Sequence, residues 1–145
     1  MSKKTELNPQ IKNFRELLDF SVKTYKDNVA YKYKGDMPVN MTIEIKDGTK
    51  GIAHSAFNNC TNLIEVTIPD SVVNIDSFAF SGCANLSSVA VPDSVETLGT
   101  HVFYDCDGLT DINLGSGVKT ISQSVFNNCD GLTEITIPDT VTAIG

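Results

Sequence analysis

The four cysteines of this 145-residue chain follow one another at intervals of 23 residues. A phenylalanine lies three residues before each cysteine, a leucine lies three residues after it, and further apolar columns share the period. The columns begin at Phe57, Cys60, Leu63, Val66, Ile68, Val72 and Ile75. A unit of this size is too small to bury its own apolar residues, so successive units must stack. The period therefore predicts a solenoid.

Each unit contains a short segment in which apolar and polar residues alternate, such as residues 64–68. Alternation with β-branched residues is typical of a strand that has one buried face. Proline or glycine follows each segment, where the missing amide donor of proline lies outside the sheet. Residues 41–45 occupy the same columns, so we expect five parallel strands, one in a partial leading unit and four in full units.

The other side of each unit carries a second apolar pattern. Ala56, Phe57 and Cys60 have the spacing of residues that share one side of a helical turn, and the spacing recurs in every full unit. The predicted fold class is therefore an α/β repeat solenoid, with a parallel strand face on one side and short helical turns on the other.

The stretch from Ala56 to Ile75 reads Ala-Phe-x-x-Cys-x-x-Leu-x-x-Val-x-Ile-Pro-Asp-Ser-Val-x-x-Ile. This pattern resembles the 23-residue leucine-rich repeat of the BspA-like (Treponema pallidum type) family, and the resemblance covers residues 41–145. It implies curved, right-handed solenoids that often lie on microbial cell surfaces and bind host or neighbouring-cell proteins. The sequence departs from the pattern at residues 114–117, which read Leu-Gly-Ser-Gly in place of the proline turn, and at Val102 and Val125, which replace alanine.

Residues 1–40 differ in charge from the rest of the chain. They carry eight basic and five acidic residues, whereas residues 41–145 carry three basic and thirteen acidic residues. Residues 9–26 have the apolar spacing of an amphipathic helix, which we expect to cap the first repeat. The predicted organisation is a helical cap or fused remnant over residues 1–40 and a repeat solenoid over residues 41–145.

Residues 8–36 also resemble the opening of acyl-adenylating (AMP-binding) enzymes. The phosphate loop and the downstream catalytic motifs of those enzymes do not occur in the remaining sequence, so adenylation chemistry is not expected. If the resemblance reflects descent, this segment is a remnant whose helix has been reused.

Composition limits the classes of partner. Acidic residues outnumber basic ones by 18 to 11, which disfavours binding to nucleic acid. No apolar run approaches the roughly 18 residues of a membrane span, and the lysine-bearing start lacks the apolar run of a secretory signal. Localisation stays open, because only the family resemblance suggests a cell surface or secretion.

The residues that could carry chemistry are spread along the repeats. Each cysteine lies among apolar neighbours in its own repeat, so we expect buried free thiols rather than a disulfide or a metal site. His54 and His101 occupy different columns and are expected at the surface. A column of aspartates favours turn formation over Ca²⁺ binding; its members are Asp47, Asp70, Asp93 and Asp139. We predict no catalytic, cofactor-binding or metal site.

The strands should expose two rows of side chains between their buried columns. The residues predicted to bind a partner are Thr42, Glu44, Glu65, Thr67, Ser88, Asp111, Asn113, Glu134 and Thr136. An extended face of this kind suits a non-enzymatic protein-interaction module of the surface-adhesion type. The first alternative is a sheet face that is charged only for solubility. The second is a structural or vestigial fusion product with no selected partner.

The sequence stops at the end of a repeat, at residues 143–145, without a polar closing unit. An apolar end predicts either a fragment of a longer array or self-association through that repeat.

Overall fold

The computed structural model describes residues 40–145. The predicted N-terminal helix cap and the adenylating-enzyme resemblance therefore lie outside the described residues. The described part contains nine strands and consists of five stacked levels, each 23 residues further along the chain. The strands are β1 (Met41–Glu44), β2 (Gly51–Ile52), β3 (Leu63–Thr67), β4 (Asn74–Ile75), β5 (Ser88–Ala90), β6 (Thr97–Leu98), β7 (Asp111–Asn113), β8 (Thr120–Ile121) and β9 (Ala143–Ile144).

The strands form two parallel sheets on two sides of the solenoid. The main sheet has the order β1-β3-β5-β7, and the second sheet has the order β2-β4-β6-β8-β9. Pairing follows the repeat period, since Val66 pairs with Val89 and Ile75 pairs with Leu98. The predicted parallel strand face is thus confirmed. The second sheet was not predicted, because a strand of two residues leaves almost no alternating pattern in the sequence.

The apolar columns form one continuous core. Buried and exposed residues alternate along β1 and β5 as expected for strands with one buried face. Phe57, Phe80, Phe103 and Phe126 stack in a ladder, with neighbouring ring centroids 5.2, 5.6 and 5.8 Å apart. Phe80 and Phe103 are completely buried. Burial of these rings contributes to the hydrophobic stabilisation that holds adjacent levels together.

The third side of the solenoid consists of turns, so the predicted helical turns are wrong. Amides of Ala56 and Cys60 donate to carbonyls three residues back, at 3.1 Å each, as in β-turns. The amide of Phe57, between them, instead donates to Ala79 of the next level at 2.7 Å. The amides therefore alternate between local turns and a ladder along the solenoid axis, which no helix does.

Two columns on this turn side have positive φ angles, which also prevents a helix. One column is Asn59, Gly82, Asp105 and Asn128, and the other is Ser55, Phe78, His101 and Ser124. Asparagine, aspartate and glycine tolerate this left-handed conformation, whereas phenylalanine rarely adopts it. Phe78 adopts it nevertheless, and its ring contacts those of His54 and His101, whose centroids lie 5.6 and 4.8 Å away.

The fifth strand predicted for the main sheet is also absent. Residues 132–138 form no strand, although they repeat the apolar pattern of the earlier strands. Ile137 is 38% exposed and Ile144, in β9, is 66% exposed. Level five is joined to level four through the second sheet instead, where β9 pairs with β8. The expectation of self-association through this last level stays a prediction.

Candidate protein-binding face

The outward side chains of the main sheet form the candidate site, here called the strand face. Seven of the predicted partner-binding residues lie on β1, β3, β5 and β7 together with Ala90, whereas Glu134 and Thr136 lie in the level-five segment that forms no strand. All ten residues are exposed and are counted in the strand face. Strand pairing places Glu65 beside Thr42 on one side and Ser88 on the other, and Ser88 beside Asp111. The second row runs through Glu44 and Thr67, which also pair. The structure therefore brings the predicted residues of β1, β3, β5 and β7 together on one surface.

The strand face is acidic. Its carboxylates are Glu44, Glu65, Asp111 and Glu134, and no lysine or arginine lies in its two rows. Its other side chains are small and include no aromatic ring, so the face is open to the approach of a partner's side chains. A face of one charge sign attracts a partner of the opposite sign and speeds its association.

A depression of about 540 Å³ adjoins the strand face where residues 132–138 leave the main sheet. Asp111, Asn113 and Thr136 line it, as do Ser116 and Pro138, which the sequence analysis did not include. The sequence did contain a signal for these two lining residues. Residues 114–117 depart from the proline turn of the other repeats, and they lie at this edge of the main sheet.

In the described part of the chain, the cysteines form a buried row of thiols that are not joined by disulfides. The thiols of Cys83, Cys106 and Cys129 each donate a hydrogen bond to a phenylalanine carbonyl of the preceding level, at 3.0–3.2 Å. Burial raises the pKa of the Cys106 thiol to about 12, and it also raises the pKa of Cys83 and Cys129 above the ordinary value. The predicted buried-thiol environment is confirmed.

These thiols make the stability of the fold depend on pH. The buried Cys106 thiol stays protonated up to about pH 12, whereas an unfolded thiol ionises from about pH 9. The unfolded state therefore loses its proton first, and stability falls as the pH rises above 9. We expect the Cys106 thiol alone to contribute a loss of about 2 kcal/mol in the free energy of unfolding between pH 8 and pH 10.5, measured by urea denaturation at each pH.

A Cys106→Ala variant is the control for this prediction, because it lacks only the Cys106 thiol. Its stability should fall less than that of the wild type over the same pH range. Equal losses in the two proteins would show that the Cys106 thiol does not carry the effect.

The histidines lie in different columns, as predicted. His54 is exposed, whereas His101 is partly buried between Phe78 and Tyr104, with ring centroids 4.8 and 5.2 Å away. The expectation that both lie at the surface therefore holds fully for His54 alone. Sequence reasoning missed this row of rings, because the two histidines were considered as ligands rather than as ring neighbours of Phe78.

The aspartate column serves the turns at the edge of the main sheet. Asp47 Oδ1 accepts a hydrogen bond from the Gly48 amide at 2.9 Å, and Asp93 Oδ1 accepts one from the Ser116 amide of the next level at 2.7 Å. These contacts support the turn-forming interpretation of Asp47 and Asp93. In residues 40–145, no cluster of three or more histidine, cysteine or acidic side chains is arranged to hold a metal ion.

Residues 30–145 match the BspA type leucine rich repeat region in six copies. This match begins ten residues before the predicted boundary at residue 40, which stays a prediction. It offers no support for the resemblance of residues 8–36 to acyl-adenylating enzymes. No curated protein sequence matches the chain. Within the described residues, no helix has the length and hydropathy needed to cross a membrane.

Solved structures of similar fold are bacterial leucine-rich repeat proteins. A T. pallidum leucine rich repeat protein is 26% identical, over 72% of this chain and 59% of that one, with a TM-score of 0.55. A leucine-rich repeat protein from Bacteroides ovatus is 26% identical, over 71% and 33% of the two chains, with a TM-score of 0.52. One from Eubacterium ventriosum is 19% identical, over 81% and 44%, with a TM-score of 0.51, and shows the fold alone.

The chain spans between a third and three fifths of the length of these solved proteins. The repeat pattern, the stacked parallel strands and the match over residues 30–145 agree with one another. Proteins built from such repeats are typically non-enzymatic scaffolds that bind other proteins. The chain therefore belongs to the family of proteins with BspA type leucine rich repeats.

Proposed function

We propose that this chain is a non-enzymatic protein-interaction module that binds a protein partner through the strand face. The single observation that carries the proposal is the alignment of two exposed rows of side chains, acidic and without a cation, across the main sheet. Four parallel strands at about 4.8 Å spacing make a face about 14 Å wide, which suits a segment of a partner's surface.

The chemistry of the strand face indicates what partner it takes. Glu44, Glu65, Asp111 and Glu134 favour a partner that presents lysine or arginine. The absence of tryptophan, tyrosine and arginine from the strand face means that no large anchor residue dominates the affinity. Binding should therefore weaken as the salt concentration rises, because screening acts on exposed charges.

An adhesion-type role at a cell surface is part of this proposal. It is supported by the resemblance of residues 41–145 to the BspA-like family, whose members often act on microbial cell surfaces. In that role, the partner is a protein of a host, of the extracellular matrix or of a neighbouring cell.

The test is capture of proteins from an extracellular-matrix and cell-surface mixture. A variant that changes Glu44, Glu65, Asp111 and Glu134 to lysine should lose the captured protein. The matched control changes four exposed acidic residues outside the two rows to lysine: Asp70, Glu96, Asp107 and Asp139. It has the same net charge and should retain capture. Circular dichroism checks that both variants are folded.

Two results would contradict the proposal. Equal loss of capture in both variants would show that net charge, and not the strand face, determines binding. The absence of specific capture even by the wild type would favour the structural or vestigial alternative, in which no partner has been selected.

A further inference from the structure

The main sheet stops at β7 although the chain continues into a fifth level. Between levels three and four, the Thr110 amide donates to Ser87 at 3.0 Å and the Val91 amide donates to Asn113 at 2.8 Å. One period later, the same ladder would join Thr133 to Thr110 and Leu114 to Thr136. Neither of these hydrogen bonds forms among the described residues. The edge of β7 therefore presents unpaired backbone groups.

Position at the end of the sheet does not explain this opening. Among the described strands, β1 also lies at an end of the main sheet, and it pairs with β3 over four residues. Level five is held firmly on its other side, where the Thr142 amide donates to Lys119 and the Gly145 amide donates to Ile121, each at 2.9 Å. Levels four and five therefore lack their ladder hydrogen bonds only on the side of the main sheet.

The opening is accompanied by a glycine-rich corner at residues 114–117. In levels two and three, the hydroxyls of Ser71 and Ser94 donate to a carbonyl of the preceding level at this corner. Gly117 takes the equivalent place in level four, and a Cβ there would collide with the carbonyl oxygen of Asp93. The level-four corner thus lies tightly against level three.

The depression described above lies between β7 and the level-five segment, since residues of both line it. Its apolar floor includes Ile112 and Leu114, whose backbone groups would make the next bonds of the ladder, and Pro138 lies at its far side. Asp111 and Asn113 form the rim towards the strand face. The site offers main-chain hydrogen bonds, apolar contact below and a carboxylate above, which are the requirements of an added β-strand.

We propose that the edge of β7 binds an extended peptide segment of the protein partner, as an added strand of the main sheet. Alternate side chains of this segment are apolar and face Ile112 and Leu114, and the side chains between them are lysines that face Asp111 and Glu134. The inference rests on the proposed function, because it names the kind of partner segment that binds at one end of the strand face. A phosphate-bearing ligand is disfavoured, because its negative charge is repelled by the carboxylates at this edge.

The test uses the peptide acetyl-Lys-Val-Thr-Val-Lys-amide and the full chain labelled with ¹⁵N. Titration should shift the backbone amide signals of Ile112 and Leu114 and slow their exchange with solvent. A peptide of the same sequence with an N-methyl group on every residue is the matched control, because it retains the charges and side chains but lacks the backbone amide donors of both edges. We expect it to bind at least about tenfold more weakly.

Equal binding of the two peptides, or no binding of the unmodified one, would overturn the strand addition. Shifts confined to the second sheet would overturn it as well. Sedimentation would detect a dimer that forms through β7. If the peptide did not displace this dimer, the occupant of the edge would be a second copy of the chain, which would also contradict the inference. The proposed function has its own test, the capture experiment. If capture depends on the strand face but the two peptides bind equally, strand addition is refuted and the proposed function is not.

Discussion

Replacing Phe80 by alanine is expected to lower the free energy of unfolding by about 3–5 kcal/mol. Phe80 is completely buried and stacks between Phe57 and Phe103, at centroid distances of 5.2 and 5.6 Å. Its removal leaves a cavity that three levels share, and the stacked backbone ladders on either side prevent the neighbours from closing it. Urea unfolding monitored by circular dichroism measures the loss.

Phe126→Ala is the matched control for this prediction. Phe126 has the same place in its repeat, but it is only half-buried and has a stacking partner on one side, Phe103 at 5.8 Å. Its replacement should cost clearly less than that of Phe80. Equal losses would mean that the stack between levels is not what makes the phenylalanine column important.

The four thiols are expected to react with an aromatic disulfide reagent at pH 8 at least about a thousandfold more slowly than a free cysteine. The thiolate is the reacting species, and the raised pKa of Cys106, about 12, leaves a very small thiolate fraction at this pH. Burial also keeps the reagent away from the sulfur of Cys83, which is completely buried. Absorbance of the released aromatic thiolate gives the rate.

A Ser88→Cys variant supplies an internal reference for the labelling experiment, because Ser88 is exposed on the strand face. One thiol per chain should react rapidly in this variant, and all five should react in concentrated urea. Rapid reaction of the wild type without denaturant would contradict the buried row of thiols and would reopen a disulfide or metal role for the cysteines.

Periodicity predicted the parts of this structure that depend on one repeat stacking on the next. The columns of Phe57, Cys60 and Leu63 are buried as expected except at their last members, since Phe126 and Leu132 are only partly buried. Burial of a column requires only that its residues recur with the period and have a level on either side. The strand face followed from the same argument, because residues between two buried columns of a strand must point outwards. Its role in binding is not a property of the period and stays a proposal.

The turn side shows where the pattern was insufficient. Ala56, Phe57 and Cys60 have the spacing of a helical turn, but the same spacing also suits turns whose alternate amides bond to the next level. The choice depends on the left-handed residues Ser55 and Asn59, and on the carbonyls that Ala79 and the other residues of level two present. These partners lie about 23 residues away in the sequence.

The open edge of β7 likewise could not be predicted from residues 132–138, whose pattern is that of a strand. It accompanies close packing at a different place, where Gly115 and Gly117 allow level four to approach level three. The departure from the proline turn was visible in the sequence. Recognising the opening at the next level required the positions of the backbone atoms.

Carboxyl-group footprinting tests the central claim most directly. The full chain is treated with a water-soluble carbodiimide and glycine ethyl ester, with and without the partner protein captured by the wild type, and modification is quantified by mass spectrometry. The account predicts that the partner protects Glu65 and Asp111 on the strand face, while Asp70 and Glu96, which lie outside its rows, react equally in both samples. Protection of Asp70 and Glu96 with unchanged modification of Glu65 and Asp111 would contradict it.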